Sequence, residues 1–407
     1  MATVEFPQII ERGCGLDVHR DTVVASIAGI GIQEETQTFS TFTTDLEQLI
    51  GWLQNHGVTH VAMESTGVYW KPVYYILEGY FELLVVNARH IKNVPGHKTD
   101  KKDSEWIVKL LLSGLLKSSF VPEVTVRFIR TLFRHRKKFI NQRSRAKNRL
   151  QNILEDANIK LSSVVSDVFS KTGVAIIEQL LAGVADPWQL ANQARGSLVR
   201  KKEELAKSLH GRFSEQHRFM LRMLMNSILD QNRSIEEVEN KLDDLVRPFE
   251  QELELLQTIP GISRIAAVGI ISEIGVDMDQ FVSAKHLASW AGVCPGNNES
   301  AGKKMSSRVT QGNKYLKTIL IEAAWASSHT LNTYLSFRYY SISKRRGKKK
   351  AAMAIGHDIL NAAYHILRDK TPYREPRLRQ DIIEQRRKSE LERLERRIQK
   401  LKTLASN

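Results

Sequence analysis

The chain has 407 residues, 42% of them hydrophobic, enough for two or three domains with cores of their own. Sixty lysines and arginines stand against 45 aspartates and glutamates, and this formal charge of +15 points to a polyanionic partner, most simply nucleic acid. No run of about 18 apolar residues occurs and the start lacks an apolar leader, so neither a membrane span nor secretion is expected; Cys14 and Cys294, without zinc-spaced neighbours, read as reduced cytoplasmic thiols.

Residues 13–29 alternate as two strands around a polar turn at Arg20 and Asp21, and "TQTFSTFTT" adds a third strand. "DLEQLIGWLQNHG" is an amphipathic helix, with Asp45 as its cap and Gly57 as its stop. A buried strand ending on Glu64, a helix broken early by Pro72, a strand "FELLVVNA" and a helix over 99–116 follow. Three strands in a row and then alternation with helices predict a mixed-sheet α/β domain. From 124 the chain turns helical and basic. Over 221–256, Leu221, Met225, Ile228, Asn232, Ile235, Glu239 and Leu242 step by four and three, as in a coiled-coil seam, and Pro248 predicts a break in it. "LQTIPGISRIAAVGIISEIG" reads as two helices about a tight turn, and 377–407 as a charged helix with leucines.

The chemistry begins with carboxylates. Asp17 falls in the middle of a strand, Glu64 ends another, and Asp100 and Asp103 lie three apart on one helix face. Taken singly, each is an ordinary cap or surface charge, and Asp100 suits a helix N-terminus. Together they form a cluster that repels itself unless a divalent cation neutralises it. Mg²⁺ takes hard oxygen ligands, and two such ions can clamp the attacking and leaving oxygens of a phosphodiester.

Cations mark the candidate nucleic-acid contacts. Arg127, Arg130, Arg134, Lys137, Lys138 and Arg145 lie on a stretch without acids from 127 to 149, which favours phosphate contact over a merely solvated face. Gly261 permits a tight turn whose amides can hold a phosphate, or serves only a helix junction. "PGNNESAGKKMSSRVTQGNKYLK" brings serines beside Lys303, Lys304, Arg308 and Lys314, where a hydroxyl can meet a charge-compensated phosphodiester or the loop can simply grip one. "KRRGKKK" at 344–350 is a second basic run. His19 lies beside the acids as a structural or supporting group, and Tyr69 and Trp70 read as packing residues.

"GLDVHRDT", "MESTGVYW", "GHKTDKKDSEW", "TIPGIS" and "LASWAGVCPGNNESAGKKMSSRVTQGNKYLK" resemble, in order, the signatures of the DEDD transposases of bacterial insertion sequences (family one hundred and ten). The resemblance spans nearly the whole chain. It implies a RuvC-like, RNase H-type domain over 1–123 with Asp17, Glu64, Asp100 and Asp103 binding Mg²⁺. It further implies a basic helical and coiled-coil region over 124–253, a mainly helical transposase domain with a helix-hairpin-helix over 254–372, and a charged helical tail over 373–407. Ser300 is then the nucleophile, attached to DNA through a phosphoserine linkage. The implied partners are donor and target double-stranded DNA, a non-coding bridge RNA, and further copies of the chain as a dimer or a tetramer on DNA. The rival readings are a resolvase-type nuclease using the acids and water alone, a non-enzymatic basic scaffold, and a sugar-kinase-like ATPase, which the missing Gly-rich phosphate loops disfavour.

Overall fold

The computed structural model describes residues 8–65, 67–87, 103–294, 298–300, 303–306, 309, 311–376 and 380–405, excepting the side chains of 298–300, 303–306, 380–386 and 400–405. The chain forms two compact units, Met1–Val121 and Pro122–Asn407.

In the first unit, β1 (Arg12–Val18), β2 (Thr22–Gly29), β3 (Glu35–Ser40), β4 (His60–Glu64) and β5 (Glu82–Val86) form one sheet in the order β3-β2-β1-β4-β5. The β1, β2 and β3 strands pair antiparallel, whereas β1, β4 and β5 run parallel, so the sheet is mixed as expected. Helices α1 (Thr43–Asn55) and α2 (Trp70–Leu77) cover one face. There Cys14, Leu16 and Val18 of β1 join Leu46, Leu49 and Leu53 of α1 and Val73 and Leu77 of α2 in one core. Helix α3 (Asp103–Leu112) covers the other face with Ile107, Leu110 and Leu111 against Ala62.

Two local expectations change. Phe42, not Asp45, precedes α1, and Asp45 sits in the first turn, where its carboxylate accepts from Ser40 Oγ. Pro72 does not break α2; it occupies the first turn, where a missing N–H costs nothing.

The second unit begins with α4 (Val124–Asp156). The short helices α5 (Leu161–Val164), α6 (Lys171–Leu181), α7 (Pro187–Ala191) and α8 (Lys202–Ser208) follow, and then the long α9 (Glu215–Val246). Leu221, Met225 and Ile228 of α9 share a core with Ala146, Leu150 and Leu154 of α4. The two polar seam residues also meet α4: Arg143 donates to Asn232 at 2.9 Å and Arg136 to Glu239 at 2.6 Å. The stepped seam is thus covered within its own chain. It stops at Val246, and Pro248 lies in a 3₁₀ turn before α10 (Glu250–Gln257), the break its position predicts.

Helix α11 (Arg264–Ile274) follows the "PGIS" turn, then α12 (Ala284–Ala291), the hairpin β6 (Asn298–Ser300) and β7 (Lys303–Ser306), α13 (Lys314–His329), α14 (Tyr334–Arg346), α15 (Lys348–Asp369) and α16 (Gln380–Ala405). Among the described residues no helix is long and apolar enough to cross a membrane.

Candidate functional site

The strand period explains why an acid stands in β1. Its even positions feed the α1–α2 core, so Gly13, Gly15 and Asp17 share the α3 face. Small residues there let α3 lie directly on the sheet. A Cβ on Gly15 would come within 2.2 Å of Ser104 O and 2.6 Å of Val108 N, and one on Gly13 within 2.9 Å of Leu111 Cδ2. Ser26 and Ser104 hydroxyls hydrogen-bond across this seam at 2.8 Å. Helix α3 therefore runs opposite to β1, with its first residue, Asp103, towards the Asp17 end. The parallel register Gly15↔Ala62 and Leu16↔Met63 continues to set Asp17 beside Glu64.

The electrostatics agree with this placement. Asp17 is pushed above the ordinary carboxylate range, first by burial, with the charges of Asp103 and Glu64 adding to the rise. His19 opposes the rise with its Nε2 3.1 Å from Asp17 Oδ2, and its ring is exposed. Three of the four expected acids thus act at one end of one face of the sheet; Asp100, like His97, lies outside the described residues. Among the described residues no three His, Cys, Asp or Glu side chains close into a ready-made metal cluster. The donor set itself, hard carboxylate oxygens whose like charges bear on Asp17, fits a divalent cation. Cys14 on the opposite face is fully buried and its thiol is pushed up by that burial, which makes it a packing residue.

The basic helix has a different fate from the one its composition predicts. Arg134 forms two hydrogen bonds to Glu273 of α11, at 2.8 and 2.7 Å, and Arg130 donates to the carbonyls of Ser272 and Glu273 at 2.9 and 2.8 Å. Lys137 pairs with Glu322 at 2.9 Å. These cations meet acids 139 to 185 positions away in sequence, so ion pairs inside the unit engage their charge. Lys138 and Arg145 remain exposed on α4, and Arg127 is half-buried.

Glu273 escaped the sequence reading, although a lone acid inside the apolar "VGIISEIG" demands a cationic partner. It is fully buried, and Asn313 Nδ2 also donates to it at 2.6 Å. Through its Oδ1, Asn313 caps α13 by accepting from the amides of Tyr315 and Leu316. The backbone just before it is clamped as well: a Cβ on Gly312 would fall 2.4 Å from Gly292 N. Both ends of the serine segment are thereby fixed. Ser300 itself ends β6, paired with Lys303 of β7, and Lys304 pairs with Glu299. Arg308 lies outside the described residues.

A cavity of about 480 Å³ between α4, α11 and α13 gathers several predicted contacts: Arg134, Lys137, Lys138, Gly261 and Lys314. Gly261 has φ +90°, and a Cβ there would meet Ser327 N at 2.5 Å, so its smallness seats the turn against α13. The 344–350 run is exposed and joins α14 to α15 at Gly347. Trp70 packs edge-on to Tyr74 as expected, whereas Tyr69 is 46% exposed.

The chain thus combines a mixed sheet carrying converging acids with a basic helical unit. Residues 14–159 match the DEDD transposase model of IS110, and residues 253–341 match the model described as the transposase IS116/IS110/IS902 family. The chain belongs to this transposase family. Among curated proteins it is similar to the pilin gene-inverting proteins of Moraxella bovis and Moraxella lacunata, each 34% identical over 122 residues. Those matches span 29% of this chain and 38% of theirs, well under two thirds of either relative. An uncharacterized 42 kDa protein of insertion element IS900 from Mycobacterium paratuberculosis is 28% identical over 123 residues, 30% of each chain.

Proposed function

We propose that this chain is a DNA transposase or recombinase that cuts and rejoins strands with metal-bound carboxylates and a serine nucleophile. One observation carries the reading: in a member of a transposase family, Asp17 and Glu64 each follow the last registered pair of β1 and β4, and Asp17 feels the charges of Glu64 and Asp103. We read the sheet order, with acids ending β1 and β4, as a RuvC-like, RNase H-type domain. The names of the Moraxella relatives support DNA inversion as the kind of reaction.

Asp17, Glu64 and Asp103, with Asp100, would hold the divalent cation, Mg²⁺ in this reading. When bound, it supplies charge neutralisation at the phosphodiester oxygens. His19 orients the Asp17 carboxylate. Ser300 Oγ attacks phosphorus, one sugar–oxygen ester is exchanged for a serine ester, and the serine proton ends on the departing sugar hydroxyl. Attack by a second strand's hydroxyl reverses the exchange and frees the serine. Lys303 and Lys304 adjoin Ser300 in sequence and offset phosphate charge, with Arg308 beyond. The "TIPGIS" turn acts as a helix-hairpin-helix whose amides, with Lys138, Arg145 and Lys314, hold the DNA backbone. Family membership supports a non-coding bridge RNA that reads donor and target by base pairing, as in other guided systems. It supports a homo-oligomer too, and the exposed stripe of Leu391, Leu394 and Ile398 on α16 offers it a seam.

The test is a nicked DNA substrate that cannot religate, presented with Mg²⁺ and the co-purified RNA. A denaturation-resistant adduct mapping to the Ser300 peptide is expected, and Ser300→Ala should bind nucleic acid yet form none. Adduct on Ser306 or Ser307 would move the nucleophile but keep the mechanism. Free ends without adduct would establish the resolvase-type alternative.

A further inference from the structure

We infer that Trp188 and the cations around it form a second nucleic-acid site, one that takes unpaired nucleotides of a single strand by stacking a base on the indole. Trp188 opens α7, and 55% of it is exposed, an unusual outlay of apolar surface for a packing residue. Its neighbours on the same helix, Leu190 and Ala191, are fully buried in the core they share with Leu205 and Ala206 of α8. The backbone beneath the indole is held too, because Asp186 accepts from the amides of Trp188 and Gln189 at 3.1 and 3.3 Å. The ring is thus an outward platform on a rigid base.

Two clefts adjoin it, both also lined by Glu203 and Lys207. One, of about 430 Å³, is lined by Pro187, Ala206, Lys207 and His210. The other, of about 560 Å³, brings Arg200, Lys201, Lys202 and Lys207 together against Glu203 and Glu204. Lys201 only approaches Glu204, at 3.9 Å between exposed groups, and Arg200, Lys202 and Lys207 make no ion pair among the described residues. This is one place where the surplus charge of the helical unit stands uncommitted, whereas much of the α4 charge is engaged by Glu239, Glu273 and Glu322. An exposed aromatic plane lining both clefts, with unpaired cations beside it, is the chemistry of single-strand binding. The π-face accepts any base and the cations follow the phosphates. A duplex, whose bases are already stacked, gains nothing from the indole.

The inference is independent of the recombination chemistry, because binding alone tests it. Fluorescence anisotropy of the full chain would compare labelled oligo-dT, oligo-U and a blunt duplex of equal length. Trp188→Ala should weaken single-strand binding by roughly 5- to 100-fold with duplex affinity nearly unchanged, and Trp188→Phe should keep most of the affinity. Replacing Lys202 and Lys207 by Gln should lower the salt slope by about 0.7 for each phosphate left without its cation. Loss for oligo-U alone assigns the site to RNA, and loss for both assigns it to unpaired strands of either sugar. Unchanged single-strand affinity in Trp188→Ala, or an equal loss on the duplex, overturns the inference; unaltered melting curves confirm that the variants are folded.

Discussion

Two acid sites in this protein show opposite solutions to one problem. Near the C-terminal end of the central strand, Asp17 has acidic neighbours, Glu64 and Asp103, and among the described residues the exposed His19 is its counterweight. In the helical unit, Glu273 is more deeply buried, yet two arginines and an asparagine surround it. Depth therefore does not mark function. A carboxylate whose charge is answered by its own chain is a structural joint, whereas one pressed by like charges awaits a cation from outside.

The largest effect expected from this contrast lies at the satisfied site. Glu273→Ala leaves the half-buried guanidinium groups of Arg130 and Arg134 without their acid, at a cost of about 3 kcal/mol. Calorimetry should show the transition of the helical unit at markedly lower temperature, with Glu273→Gln in between. A wild-type melt for Glu273→Ala would mean that the network contributes nothing to stability. Next comes the seam that aims Asp103 at Asp17. Gly15→Ala drives a methyl group into the α3 backbone and should cost about 1–3 kcal/mol by overpacking. Mg²⁺ should then no longer raise the melting temperature of the first unit. Retained metal stabilisation in that variant would refute the idea that close helix–sheet contact sets the acids.

The smallest effect has the opposite sign. Because folding raises the proton affinity of Asp17, its contribution to stability is greatest below the ordinary carboxylate range. That contribution is lost as pH rises through the elevated value. Without metal at neutral pH, Asp17→Asn should therefore melt about 4 °C higher, what roughly 1 kcal/mol gives in a unit of this size. The gain should vanish in acid and reverse when Mg²⁺ is added. A variant that melts lower at neutral pH would show that the cluster is not under electrostatic strain.

Much of the first unit is legible in the residue order. Alternation in β1 separates Cys14, Leu16 and Val18 from Gly13, Gly15 and Asp17, and the strand-ending Glu64 follows the same logic. Helix α9 is legible only in part. Its stepping of four and three declares an apolar face, but periodicity does not say what covers that face, and Ala146, Leu150 and Leu154 of the same chain do. The arginines of α4 are legible only in part for a related reason. Local composition shows their charge, while Glu239, Glu273 and Glu322 arrive from far along the sequence. Trp188 stays hidden because α7 and α8 are too short to announce which of their residues turn outward.

Gly312, pressed against Ala291 and Gly292, gives the serine segment the geometry of a leash with a fixed post. Ser300 is eight residues beyond Gly292, so the chain cannot carry it farther than about 26–29 Å from that post, whatever path it follows. The far side, tied at Gly312, is longer and imposes no tighter limit. In the proposed reaction, the bond that Ser300 attacks must therefore be delivered inside that radius, and the burden of long-distance movement falls on the nucleic acid and on whole units of the protein, not on the serine.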